Sequence, residues 1–127
     1  MPRRYLTLED ALAIHADLIS RWGGLAGVRD AGALEAALYR PQTGYYPDLI
    51  GEAAALWESI SQNHPFVDGN KRAAFALMFV FLRLNACDLR VSDAEAQAFV
   101  LALYANGTFN FEHLRDWLAQ TVIEPTR

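Results

Sequence analysis

The sequence predicts an all-α protein forming a single domain over residues 1–127, and three observations carry that expectation. Apolar residues recur at helical spacing in segment after segment, and no stretch alternates at period two over the length of a strand. Residues that start and stop helices bracket those segments. One run, AAFALMFVFL at 73–82, is apolar on every face, which is how a central, buried helix reads. A sheet is not expected.

TLEDALAIHADLISRW opens on Thr7, a good N-cap, carries Leu8, Leu12 and Leu18 towards a core, and stops at Gly23 and Gly24. RDAGALEAALYR starts from Asp30 as a cap and ends before Pro41, because the residue ahead of a proline avoids helical geometry. PQTGYYPDLIG has the composition of an exposed loop or small hairpin. EAAALWESISQ is the third helix, and NKRAAFALMFVFLRL the central one. VSDAEAQAFVLALYANG carries a capping box, Ser92 with Glu95, and ends at Asn106-Gly107. FNFEHLRDWLAQ closes the series.

Composition narrows the function classes. A hydrophobic fraction of 53% supplies a real core. The net charge of −4 and a pI near 5.2 argue against a nucleic-acid surface, which shows as a basic excess. A single cysteine, Cys87, excludes an internal disulfide and a multi-cysteine zinc site, and suits plain packing. No leader pattern opens the chain and the longest apolar run is too short to span a bilayer, so a cytoplasmic protein without membrane contact is expected.

The charges collect in HPFVDGNKR, residues 64–72, which holds the chain's only lysine. Pro65 ends the third helix at His64, Phe66 is placed to pin the loop to the core, and Gly69 permits positive φ. Helix resumes near Asn70, so Lys71 and Arg72 fall in its first turn, where the macrodipole repels cations. Free amides, a glycine and two added cations make an anion site suited to phosphate. Asp68 is an oxygen ligand for the magnesium ion that accompanies a polyphosphate. His64 is the side chain able to take a proton from a nearby hydroxyl. Together they suit phosphoryl or nucleotidyl transfer.

Taken singly, each residue has a plainer role. Asp68 serves as a helix cap pairing with Lys71, His64 as a loop histidine, and Arg72 as a surface ion-pair partner. Those roles do not explain two cations set against a helix dipole. His15 and His113 read as partly buried helix residues, a metal site of His64, His15 and Asp68 being an alternative that no spacing supports, and Trp22, Trp57 and Trp117 as core or rim packing.

HPFVDGNKR resembles the signature loop of the Fic/Doc superfamily: a histidine, a phenylalanine two on, then acid-Gly-Asn-x-Arg. YLTLEDALAIHADLI, GGLAGVRDAGALEAAL, RPQ and HPFVDGNKRAAFALMFVFLRLN extend the likeness to the death-on-curing toxins, the toxin halves of toxin–antitoxin modules. The resemblance implies an all-helical fold, with His64 as general base and Asp68 holding Mg2+ on the phosphates of ATP. It implies an anion hole at Gly69, Asn70 and the amides beyond, Arg72 on a phosphate, and Phe66 anchoring the loop.

Position 71 separates two branches of the superfamily. Glycine there accompanies transfer of AMP, whereas the lysine of Doc-type toxins accompanies transfer of the γ-phosphate to a threonine of elongation factor Tu. Lys71 places this chain with the kinases, and Phe75, where AMP-transferases carry a second arginine, points the same way. The wording PFVDG is nearer the AMP-transferase branch, so a Fic-type AMP-transferase is the alternative, and a non-catalytic nucleotide- or partner-binding module the third reading. Thr108 to Glu112 superficially matches the inhibitory helix of some Fic proteins, but His113 replaces its Gly or Asn, and an ordinary helix start is expected. Restraint would then fall to a separate antitoxin.

Overall fold

Five of the six α-helices among the described residues begin on a side-chain cap. The structure, a computed structural model, describes residues 2–124. Helix α1 (Leu8–Trp22) starts at Thr7, whose Oγ1 accepts from Asp10 N at 3.1 Å while Asp10 Oδ2 accepts from Thr7 N at 2.9 Å. Asp30 caps α2 (Ala31–Tyr39), Asp48 caps α3 (Leu49–Asn63), Ser92 caps α5 (Asp93–Ala105) and Asn110 caps α6 (Phe111–Thr121). Each cap satisfies an amide that the helix leaves unpaired. The exception is α4 (Asn70–Leu84), which starts on Gly69 with no side-chain hydrogen bond.

The core lies between α3 and α4, with α2 and α6 closing on α3 and α1 on α4. Ala73, Ala74, Leu77, Met78, Phe81 and Leu82 of α4 are buried, while Phe75, Ala76, Phe79 and Val80 are only partly covered. Helix α3 is the more enclosed of the two, buried from Gly51 through Trp57 and again at Ser59, Ile60 and Ser61. The centre is therefore a pair of helices. The apolar face of α4 is wider than the neighbours it has, whereas alanines at 53–55 let elements close on α3 from several sides. Trp57 fixes the aromatic packing, meeting Phe75, Phe109 and Trp117 edge-on at centroid distances of 5.5, 5.9 and 5.7 Å.

Three local expectations are corrected. A small sheet exists: β1 (Asp88–Leu89) pairs antiparallel with β2 (Val122–Ile123), Asp88 opposite Ile123 and Leu89 opposite Val122. Strands of two residues are too short to leave a period-two pattern. Within PQTGYYPDLIG no hairpin forms; Arg40–Gln42 continue α2 as a 3-10 turn, and α3 starts at Leu49. His113 is exposed on α6, its Nδ1 facing the capping oxygen of Asn110 at 2.7 Å.

Polar ties lock this frame. Half-buried Arg40 donates from Nε to Tyr46 Oη at 2.7 Å and from Nη1 to Glu58 at 2.9 Å and Ser59 Oγ at 2.8 Å. The other oxygen of Glu58 accepts from Phe111 N at 2.9 Å, so one carboxylate joins the 3-10 turn, α3 and α6. Asn85, at the end of α4, accepts from Arg4 N and donates to Arg4 O and Phe81 O, fastening the N-terminal segment to that helix. Cys87 is buried, and its burial pushes the thiol pKa up. Among the described residues no helix is long and apolar enough to cross a membrane.

Trp57→Ala is expected to destabilise the fold by about 3–5 kcal/mol in urea denaturation, as truncation of a fully buried aromatic does. Tyr45→Ala, at a side chain 81% exposed, is expected to change it by less than about 0.5 kcal/mol.

Candidate active site

Helix α3 ends because Pro65 follows, and His64 takes the left-handed conformation, φ 48° and ψ 57°. For a residue other than glycine this costs on the order of 1–2 kcal/mol, so neighbouring contacts must hold it. Arg29 does so: Nε donates to His64 O at 2.8 Å and Nη2 to Asn63 O at 2.9 Å. The guanidinium thus covers carbonyls freed at the helix end, where the macrodipole favours a cation.

Beyond His64 the chain runs antiparallel to residues 27–30. Arg29 N and Asp30 N both donate to Pro65 O, at 2.7 and 3.0 Å, and Val67 N donates to Gly27 O at 3.0 Å. Val28 and Phe66 face each other as a β-bridge. Between these bonds Phe66 is completely buried, its ring stacked on His15 at 3.9 Å and 5°. Asn70 closes the loop from the other side, Oδ1 accepting from Phe66 N at 2.9 Å and Nδ2 donating to Phe66 O at 3.0 Å.

Asp68 lies at the apex of this loop. Its Oδ2 accepts from Leu25 N at 3.1 Å, its Oδ1 from Gly69 N at 2.9 Å, and its carbonyl from His15 Nε2 at 2.9 Å. The amides of Leu25 and then Gly69 hold its carboxyl below the usual carboxylate range, with further help from Arg72. Gly24 makes room for the carboxylate: a Cβ there would stand 2.8 Å from Asp68 Oδ2, and φ of +112° also requires glycine.

These elements surround a cleft of about 520 Å³ lined by Trp22, Gly23, Gly24, His64 and Val67–Arg72. The cleft opens onto the uncapped start of α4, whose first amides keep their hydrogen-bonding capacity. Both cations of that first turn are exposed and rest against aromatic faces. Lys71 Nζ is 4.1 Å from the centroid of Tyr104, and Arg72 Cζ is 5.8 Å from that of Trp22.

All the residues singled out in HPFVDGNKR come together here, with differences of role. His64, Asp68, Gly69, Asn70, Lys71 and Arg72 line the cleft, and Phe66 lies beneath it. The side chain of Asn70 is committed to Phe66, so only its backbone amide faces the anion site. Asp68 neither caps α4 nor pairs with Lys71; its oxygens serve the amides of Leu25 and Gly69. Phe75 packs edge-on against Trp57. Thr108–Glu112 is an ordinary helix start, with Phe109 buried and Asn110 capping α6.

Sequence reading missed the residues that hold the loop. His15 is 4% exposed and both stacks on Phe66 and bonds the carbonyl of Asp68, although 53 positions separate them in the chain. Arg29 and Leu25 come from the turn after α1. The one local signal was the glycine group at 23, 24 and 27, which marks a backbone that must pass close to something.

Because the folded-state pKa of Asp68 is depressed, its ionisation contributes stability that is present above the ordinary carboxylate value and is lost as pH falls through the depressed one. The stability gap between wild type and Asp68→Asn in urea denaturation should stay constant from pH 7 to about 5 and shrink below about pH 4. A gap unchanged down to pH 2 would show that the two amides do not hold the charge.

A family model described as the Fic/DOC family matches residues 5–82, which includes α1, the loop and most of α4. The chain is 47% identical over 100 residues to toxin Doc of Mycolicibacterium smegmatis, covering 72% of this chain and 75% of that protein. It is 32% identical over 119 residues to protein kinase doc of Escherichia phage P1, covering 91% of this chain and 93% of that protein. A match over more than half its length, on the segments that build the cleft, makes this chain a member of the Fic/DOC family.

Proposed function

We propose that the chain is a Doc-type toxin that transfers the γ-phosphate of ATP to a protein hydroxyl, a threonine of elongation factor Tu, and so blocks translation. A cognate antitoxin would hold it in check. The observation that carries this reading is the cleft itself. One opening brings together a histidine held in a strained conformation, a carboxylate kept ionised by two amides, and a helix N-terminus bearing two cations. A site for phosphate binding alone has no use for the histidine. The names of the two relatives, a toxin and a protein kinase, support the same reading.

Asp68 suits a magnesium ion. It is exposed and held ionised, and each oxygen has one amide partner and a further lone pair. Among the described residues no group of three or more metal-ligating side chains exists. One carboxylate completed by phosphate oxygens and water is how magnesium is commonly held beside a nucleotide. The ion supplies neutralisation of phosphate charge as the transfer proceeds.

The chain's own groups then divide the work. The amides at the start of α4 and Arg72 bind the phosphates, and Lys71 adds a point charge that orients the γ-group. His64 accepts the proton of the acceptor hydroxyl as the new O–P bond forms. The bond from the γ-phosphorus to its bridging oxygen breaks, and ADP leaves with the electron pair.

Purified protein incubated with ATP, magnesium and bacterial elongation factor Tu is expected to transfer label from the γ-position. His64→Ala should lower the rate by about 10²-fold or more. Label arriving from the α-position would replace the kinase reading with AMP transfer. Lys71→Gly, which removes the ammonium from the cradle, should raise the share of α-label.

Growth distinguishes catalysis from simple binding. Expression of the wild type should arrest growth, and expression of His64→Ala or Asp68→Ala should be tolerated. Equal arrest by wild type and variants would exclude a catalytic toxin.

A further inference from the structure

Lys71 sits at the positive end of α4, yet no carboxylate of the described residues lies within ion-pair distance of it. Its Nζ lies instead 4.1 Å from the ring centroid of Tyr104, near the end of α5. That ring is held from two other directions. Its rear face stacks on Phe109 at 4.5 Å and 13°, and its hydroxyl bonds Ser61 Oγ in the last turns of α3. Phe109 is itself tied to α3, its carbonyl accepting from Gln62 Nε2 at 2.8 Å.

The choice of partner matters for an anion site. A carboxylate at this distance would cancel the ammonium charge and occupy its donors. An aromatic face attracts the cation through its quadrupole and leaves the N–H donors available. It also restricts a side chain with four rotatable bonds, reducing the ordering cost when a phosphate arrives. Burial pushes the Tyr104 phenol pKa up, so the hydroxyl stays protonated and bonded to Ser61 at neutral pH.

We infer that Tyr104 is a positioning residue that holds Lys71 at the cleft wall with its charge uncancelled, and so preorganises it for the phosphates of the nucleotide. Tyr104 itself touches no reacting atom. The inference deepens the proposed function and rests on its assignment of Lys71 to the nucleotide phosphates. Sequence spacing could not reveal the pair, because 33 positions, comprising most of α4 and most of α5, separate the two residues.

The lone lysine provides a clean probe. Protein grown with 13C-labelled lysine should give a single side-chain Cε–Hε signal, shifted upfield by the Tyr104 ring. Tyr104→Phe, which keeps the ring and loses the hydroxyl, should retain that shift, and Tyr104→Leu should lose it. An unshifted signal in the wild type overturns the inference while leaving the proposed function standing.

The functional arm uses calorimetric titration with Mg-ATP, so no acceptor protein is needed. Tyr104→Leu should weaken binding about three- to tenfold, Tyr104→Phe should be near wild type, and Tyr104→Leu should have no effect in a Lys71→Ala background. A Tyr104→Leu effect that persists without Lys71 reflects structural damage and overturns the inference alone. Unaltered binding in Lys71→Ala itself overturns both the inference and the assignment of Lys71 to the phosphates.

Discussion

The inward burial of Phe66 is the constraint on which the site depends. With this ring completely buried and stacked on His15, the residues on either side have no freedom to slide along the chain. The backbone around it is bonded to Gly27, Arg29 and Asp30 on one side and to Asn70 on the other. His64 and Asp68, two positions before and after, then face the cleft because Phe66 faces the core. Burying an aromatic ring contributes a few kcal/mol, enough to offset the strain of a left-handed histidine. The packing and backbone bonds of the loop itself therefore fix where these two side chains stand.

The second constraint is electrostatic. Every other α-helix of the described residues has a first-turn amide closed by a capping side chain, whereas α4 begins without one at Gly69. Two cations are added at that end, and among the described residues neither is in an ion pair. They rest on Tyr104 and Trp22, faces that attract charge without cancelling it. The one carboxylate close by, Asp68, faces the amides of Leu25 and Gly69. The surroundings thus leave a positive hole in a chain whose net charge is negative, −4. Acidic composition argues against an extended nucleic-acid surface and is compatible with a local phosphate site, because the field near a helix end falls off within a turn or so.

Much of the fold was legible in the sequence. Caps at Thr7, Asp30 and Ser92 and the stops at Gly23 and Asn106 mark local events, set by residues three or four apart, and they lie where the residues place them. What stayed hidden was non-local. The pairing of residues 27–30 with 65–67 is made of backbone bonds, which leave no mark on side-chain pattern. His15 reads as one more polar position of an amphipathic helix, and only the fold sets it under Asp68. Helix α4 lies at the centre as its apolarity suggests and shares that place with α3, because apolarity on every face measures what a helix can bury and not how many neighbours reach it. The cleft residues were legible as a group because one short loop carries them all.

The loop is as firmly placed as the two helices it joins, and those are held by a separate polar system. Arg40 and Glu58 bind the 3-10 turn, α3 and α6 into one unit, while Asn85 ties the far end of α4 to the N-terminal segment. Neither system shares a residue with the cleft. Tyr104 is where the frame meets the site: its hydroxyl reaches α3, its rear face Phe109, and its front face the ammonium of Lys71. A packed, half-buried ring cannot move far without disturbing both helices. The position of the one lysine is thus set by the ties of Tyr104 to Ser61 and Phe109, which is how an exposed, flexible side chain acquires a definite place beside the cleft.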